Sequence, residues 1–234
     1  MARLSIQVWS DIACPWCWVG KRRLEAALGG FAHADQVDLT WRSFELDPGA
    51  PRVQTADRSY AERLAHKYRT SLDRAAQMIE RMTATGAADG VDLGFDRIRP
   101  GNTFDAHRLL HMAAERGRGD AAKERLLRAY LSEGEAIGDR DVLVRLALDL
   151  GLEEDDVRGI LASDDYARAV REDEAEAHSL GIHGVPFFVI GRYGISGAQP
   201  ADVLRQALDR AWDELPVLES TEGGAAPACG PDGC

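Results

Sequence analysis

The run Leu4-Ser5-Ile6-Gln7-Val8-Trp9-Ser10-Asp11-Ile12-Ala13-Cys14-Pro15-Trp16-Cys17 changes character part-way along. Its first six residues alternate apolar and polar, the period of a strand with one face buried. Ser10-Asp11 stops that strand. Beyond Cys17 the apolar positions Val19, Leu24, Ala27 and Leu28 fit a helix that ends at Gly29-Gly30. Pro15 suits the first helical position, where a missing N–H costs nothing. The two cysteines therefore fall where a strand becomes a helix. Val37 to Phe44 alternates again and closes at Asp47-Pro48-Gly49, completing β–α–β.

From about Ser59 to Leu180 the periodicity is helical throughout. Helices are expected near Ser59–Tyr68, Ser71–Thr85, Phe104–Glu115, Ala121–Glu133, Val142–Leu150, Asp155–Leu161 and Tyr166–Leu180, punctuated by Gly86, Gly117, Gly138 and Gly151. Gly184-Val185-Pro186 then leads into Phe187-Phe188-Val189-Ile190, an apolar run of β-formers suited to a central strand. A turn at Gly191-Arg192, a partner strand over Tyr193–Ser196 and a helix over Ala201–Leu215 finish the pattern. The β–α–β and β–β–α halves around a helical insert form the thioredoxin plan. The expected fold class is α/β: a discontinuous thioredoxin-like domain at 1–56 and 181–215, a large all-helical insertion at 57–180, and a flexible tail at 216–234.

The 234 residues suffice for a sizeable core, with 45% hydrophobic and 29% charged residues. A formal net charge of −11 argues against nucleic-acid binding, which needs a basic footprint. No stretch approaches the roughly 20 apolar residues of a membrane span. A cytoplasmic protein without a signal peptide is expected.

In that compartment, closely spaced cysteines favour redox or metal chemistry over structural stapling. Thiol–disulfide exchange requires a thiolate, and a thiol at a helix N-terminus is stabilised in that form by unpaired N–H groups and the macrodipole. Cys14 has that place and is expected to attack. Cys17, three residues on along the same side, can resolve the mixed disulfide formed at Cys14. The competing reading makes the pair half of a zinc site, which would need two more ligands. No metal-ligand pattern stands out among the histidines, although His107 and His111 share i, i+4 spacing. A second pair, Cys229 and Cys234, brackets the turn-forming Gly230-Pro231-Asp232-Gly233, so its sulfurs can meet. It is a candidate secondary redox pair relaying electrons to Cys14 and Cys17; an incidental tail disulfide and a weak metal-binding end are the alternatives.

The run Trp9 to Arg22, with Phe44-Glu45-Leu46 and Gly184-Val185-Pro186-Phe187, resembles the DsbA-like family of the thioredoxin superfamily, in particular its cytoplasmic FrnE-type branch, over residues 1–215. The resemblance implies dithiol–disulfide chemistry and a cis peptide bond before Pro186. It also implies that Val185 offers its backbone to an extended substrate, a strand-addition mode of recognition. Read without it, Pro186 could equally just start an edge strand.

Pro15 and Trp16 would tune the site, and Trp16 would stand exposed as part of a substrate-docking surface. Asp11 and Glu45 are candidate proton-transfer groups, against plainer roles as a turn or cap residue and a solvated strand-end charge. His183, three residues before Pro186, could approach the same face, although a loop histidine is ordinarily just solvated. The expected partners are protein thiols and disulfides or small thiols, plus a reducing or oxidising partner. No dissociable cofactor is expected; glutathione is a possible co-substrate. The branch is also similar to 2-hydroxychromene-2-carboxylate isomerases and kappa-class glutathione transferases. Those relatives generally carry serine in place of Cys14, and in such an enzyme Asn102 to Arg108 could line the pocket. A binding or holdase module is the non-enzymatic alternative.

Overall fold

A computed structural model of the chain describes residues 3–54 and 57–215. The tail at 216–234, with Cys229 and Cys234, lies outside the described residues.

Strand β1 (Leu4–Ser10) is the axis of the molecule. It pairs in parallel with β2 (Val37–Ser43), Leu4 opposite Val37 and Ser10 opposite Ser43. On its other side it runs antiparallel to β3 (Phe187–Ile190), Trp9 opposite Phe187. The strand β4 (Tyr193–Ser196) follows at the edge, giving the order β2-β1-β3-β4.

Side chains alternate across a strand, so each face of β1 and β3 has its own layer. Leu4, Ile6 and Val8 of β1 and Phe188 and Ile190 of β3 face the main core, with Leu24 of α1 (Pro15–Gly29) and Leu204 and Leu208 of α9 (Ala201–Asp213). Trp9, Phe187 and Val189 face the opposite way, onto Ala177 of α8 (Ala167–Ser179) and Ile182. The indole of Trp9 donates to Asp173 O at 2.8 Å, so a bulky residue on the second face is buried without an orphaned N–H. Each such buried large side chain contributes about 1.5–3 kcal/mol.

Between β2 and β3 lie α2 (Tyr60–Tyr68), α3 (Leu72–Ala88), α4 (Phe104–Glu115), α5 (Gly119–Arg128), α6 (Arg140–Asp149), α7 (Glu154–Ala162) and α8. Ser59 and Glu62 form a reciprocal capping box that starts α2. Leu109, Leu126, Leu146 and Val157 continue the main core, so these helices share one apolar interior with the sheet. Leu64, Ala65 and Ala75 make a small separate cluster between α2 and α3.

Two helix boundaries differ from the sequence reading by more than two residues. Gly86 does not stop α3; a Cβ there would meet Leu93 Cδ1 at 2.9 Å, so the glycine admits the chain that folds back over the helix. The expected helix running to Glu133 changes at Ala129 into a π-helical turn, Ala129–Glu133, ending in Gly134 with φ 73°. Among the described residues no helix is long and apolar enough to cross a membrane.

Candidate active site around Cys14 and Cys17

Strand β1 delivers the chain into a tight turn in which Cys14 N donates to Asp11 O at 3.3 Å. Cys14 is the N-cap of α1 with extended backbone (φ −97°, ψ 110°), and Pro15 opens the helix. Cys17 N donates to Cys14 O at 3.0 Å, closing the first turn. Both cysteines are buried free thiols. From the far end of the chain the Val185–Pro186 bond, which is cis, sets Val185 O 3.5 Å from Cys14 Sγ, within reach of its thiol hydrogen.

Cys14, Trp16 and Leu46 border a cavity of about 290 Å³, walled from the helical layer by Tyr60, Leu64, Met82 and Tyr130, with Arg63 and Lys67 also on its lining. Cys17 does not line it. Trp16 is 38% exposed, whereas Trp18 is buried, its indole reaching Glu124 at 3.3 Å. The sulfur open to a partner is thus that of Cys14.

The two thiols ionise as a pair. The hydrogen bond to Cys17, then burial, pushes Cys14 well above the ordinary cysteine range. Burial opposes ionisation of Cys17 too, but the Cys14 thiol and the charge of Lys123 overcome it and bring Cys17 down. One negative charge is therefore accommodated easily and a second is not. The helix N-terminus behind Cys14 favours negative charge on that sulfur.

Asp11 is both a turn residue and a member of the site. Its carboxylate accepts from Leu46 N at 2.8 Å and Ala13 N at 3.3 Å, and lies 3.3 Å from His107 Nε2. Burial works against its charge, but His107 and these two amides prevail and hold it below the usual carboxylate range. Asp11 is thus a fixed anion at neutral pH, unsuited to releasing a proton there. Glu45 is not a solvated strand-end charge: its buried carboxylate takes Arg171 Nη1 at 2.6 Å and Asn102 Nδ2 at 3.2 Å. Burial raises its pKa, against Arg171, and among the described residues neither cysteine is its hydrogen-bond partner. His183 is exposed and borders a different surface pocket with Phe44, Glu45 and His178; it makes no hydrogen bond to either cysteine.

The parts two residues play at the site escaped the sequence reading. His107, with its i, i+4 partner His111, was weighed as a metal ligand, yet each imidazole serves a carboxylate, Asp11 and Asp173 respectively. Lys123 of α5 is wholly buried, donates to Ser10 O at 3.2 Å and lies 5.6 Å from the Trp41 ring centroid. No sequence signal marked it. Among the described residues no three His, Cys, Asp or Glu side chains gather as metal ligands.

The DsbA-like thioredoxin domain matches residues 5–209 of the chain. A probable DsbA oxidoreductase from Streptomyces coelicolor superposes with a TM-score of 0.86 at 45% identity, covering 99% of this chain and 98% of that one. The uncharacterised protein YwbO of Bacillus subtilis is 30% identical over 206 residues, 87% of this chain and 94% of that protein. The cytosolic disulfide reductase DsbM of Pseudomonas aeruginosa, whose structure is also known with GSH, shares the fold at 18% identity and a TM-score of 0.62, covering 90% of this chain and 99% of that one. A helix opening on a buried dithiol, the carbonyl of Val185 set against its first sulfur just before the cis-proline and a match spanning nearly the whole chain agree: this protein belongs to the DsbA-like thioredoxin domain family.

Proposed function

We propose that the chain is a thiol–disulfide oxidoreductase and isomerase acting through Cys14 and Cys17. The observation that carries this reading is the placement of Cys14 at the start of α1, lining the cavity and meeting Val185 O at 3.5 Å, with Cys17 buried one turn behind it. As a reductase, Cys14 thiolate attacks a partner disulfide, one partner sulfur leaves as a thiolate, and Cys17 then displaces the other to leave a Cys14–Cys17 disulfide. The reverse sequence oxidises a partner dithiol. In isomerisation Cys17 is the escape route from a mixed disulfide that does not rearrange. Cys14 is the attacking group because, of Cys14 and Cys17, it is the one that borders the cavity.

The substrates are disulfides and thiols of proteins or of small molecules. The Val185 backbone beside Cys14 is the site offered to a peptide, and the cavity beside Cys14 suits a small thiol such as glutathione, the ligand named for the DsbM structure. Electrons pass between partner thiols and the dithiol, with no dissociable cofactor in the cycle. The cytosol is the proposed compartment, by analogy with DsbM. We also assign Cys229 and Cys234, on the strength of their turn-forming spacing alone, to a secondary pair exchanging with Cys14 and Cys17.

Insulin reduction by dithiothreitol, compared for wild type and Cys14→Ser, tests this reading. Acceleration that vanishes in the variant is the expected result. A reduced, folded wild type that gives no acceleration overturns it; retained glutathione conjugation or isomerisation by Cys14→Ser would then point to the isomerase and transferase chemistry of the rival family branches.

A further inference from the structure

Lys123 has no evident reason to be where it is. It comes from the helical layer, is wholly buried, and among the described residues its ammonium finds only Ser10 O at 3.2 Å and the Trp41 ring. Among the described residues no carboxylate lies within 4.0 Å of it. The neighbouring buried lysine is different: Lys21 holds Glu25, Asp120 at 3.1 Å and Glu124 at 3.5 Å. A buried cation without an anion is costly, so some group must answer its charge.

The groups that act on Lys123 identify it. Burial lowers its pKa most; against that, Cys17 raises it more than Asp11 in the turn or Cys14 at the N-cap of α1, while Lys21 on α1 lowers it. Trp41 of β2 faces it as a neutral ring, its indole N–H turned to Asp120 at 3.1 Å. Ser10, the last residue of β1 before the turn that carries the cysteines, ties Lys123 to the site: its carbonyl takes the ammonium, its buried hydroxyl has no hydrogen-bond partner among the described residues, and it is among the groups that bring Cys17 down.

We propose that Lys123 is the counter-charge that holds Cys17 as its thiolate, so that the resolving step proceeds near neutral pH. The inference rests on the dithiol exchange proposed above. In the step concerned, a partner sulfur is bonded to Cys14 Sγ and Cys17 has given its proton to solvent. Cys17 thiolate attacks Cys14 Sγ, the Cys14–Cys17 bond forms, the bond to the partner breaks, and the electron pair leaves on the partner thiolate, which takes up a proton. The dithiol is oxidised by two electrons and the partner reduced. Lys123 acts through the charge on Cys17 and touches no partner atom. Burial, countered in part by Cys17, Asp11 and Cys14, pushes the ammonium down to about 8, so it is still charged at neutral pH and its support fades as pH rises through that value.

The test is a stopped-flow reaction of reduced protein with 5,5′-dithiobis(2-nitrobenzoate), which releases one chromophore as Cys14 attacks and a second as Cys17 resolves. In Cys17→Ser the second phase disappears, which fixes its assignment. In Lys123→Met the second phase is expected to be about tenfold slower at pH 7, with its pH midpoint about one unit higher, because one unit is a tenfold change in thiolate. The reduction potential should fall by about 30 mV, the equivalent of tenfold for a two-electron couple. Lys123→Arg, which keeps the charge, should hold the wild-type second phase. A folded Met variant with unaltered second phase, midpoint and potential overturns the proposal, as does equal slowing in the Met and Arg variants.

A measurement on wild type needs no variant to fold. Coupling is reciprocal, so the Lys123 side-chain carbon should titrate at a higher pH in the reduced protein than in the disulfide form, and equal midpoints overturn the proposal. Absence of the first phase in wild type would instead refute the exchange reading itself.

Discussion

Gly20→Ala sets two effects of comparable size against each other. Gly20 lies in α1, one turn beyond Cys17, and glycine in a helix interior costs about 1 kcal/mol relative to alanine. On propensity alone the substitution should stabilise the protein. The added Cβ, however, would sit 3.0 Å from Pro186 Cγ and 3.1 Å from Phe188 Cζ. Both belong to the segment that carries Val185 O to Cys14, and Phe188 is fully buried in the core. Overpacking of this kind costs about 1–3 kcal/mol. The net expectation is a loss of about 1 kcal/mol, which for a chain of this size lowers Tm by about 2–4 °C. Pushing Pro186 away also moves Val185 O off the Cys14 thiol, so insulin reduction should fall by more than the small change in folded fraction explains. Thermal unfolding and the insulin assay on the same preparation check this. A variant stabilised by about 1 kcal/mol with full activity would show the contact between α1 and the cis-proline segment to be slack, and would refute the argument.

Three further outcomes are expected. Asp11→Asn removes a carboxylate whose pKa is lowered in the folded state; its contribution is full above the ordinary value of 3.8 and lost as pH falls below it. The variant should lose about 1–3 kcal/mol at pH 7, from the disturbed hydrogen bonds of a buried group, but show a shallower decline below about pH 4, read from urea midpoints at pH 7 and pH 3; an unchanged acid slope would be contrary. Trp16→Ala takes an exposed indole from the edge of the cavity and should weaken capture of protein disulfides several-fold while changing stability by less than about 0.5 kcal/mol, as KM and Tm would report. Replacing Cys229 and Cys234 together by serine should slow turnover with a thiol reductant but leave single-turnover attack by Cys14 intact; equal turnover would remove the second pair from the cycle.

The parts of the fold that local chemistry dictates could be read from the sequence. Proline after Cys14, alternation in Leu4–Trp9 and the apolar run Phe187–Ile190 each determine conformation within a few residues, and the helix and strands they imply are present. What the sequence concealed depends on packing between distant segments. Lys123, in Ala122-Lys123-Glu124-Arg125, reads as an ordinary surface lysine; α5 lying over α1 and β2 is what buries it. Glu45 follows β2 closely and so was expected near the dithiol, but Arg171, 126 residues away, draws its carboxylate toward α8. His107 and His111 were visible as a spaced pair, yet their partners come from β1–α1 and α8, which no spacing encodes.

The central position of β1 also governs how the chain is made. Its partner β2 follows closely, but β3 and the carbonyl of Val185 stand 171 residues beyond Cys14. At roughly 5–20 residues per second, a ribosome needs about 9–35 s to synthesise that interval. Throughout it Cys14 and Cys17 are attached to a nascent chain whose sheet is half built, without the Val185–Pro186 segment that later lies against Cys14. The two thiols thus exist before their enclosure does, and they are less shielded in the growing polypeptide than in the finished fold, where both are buried.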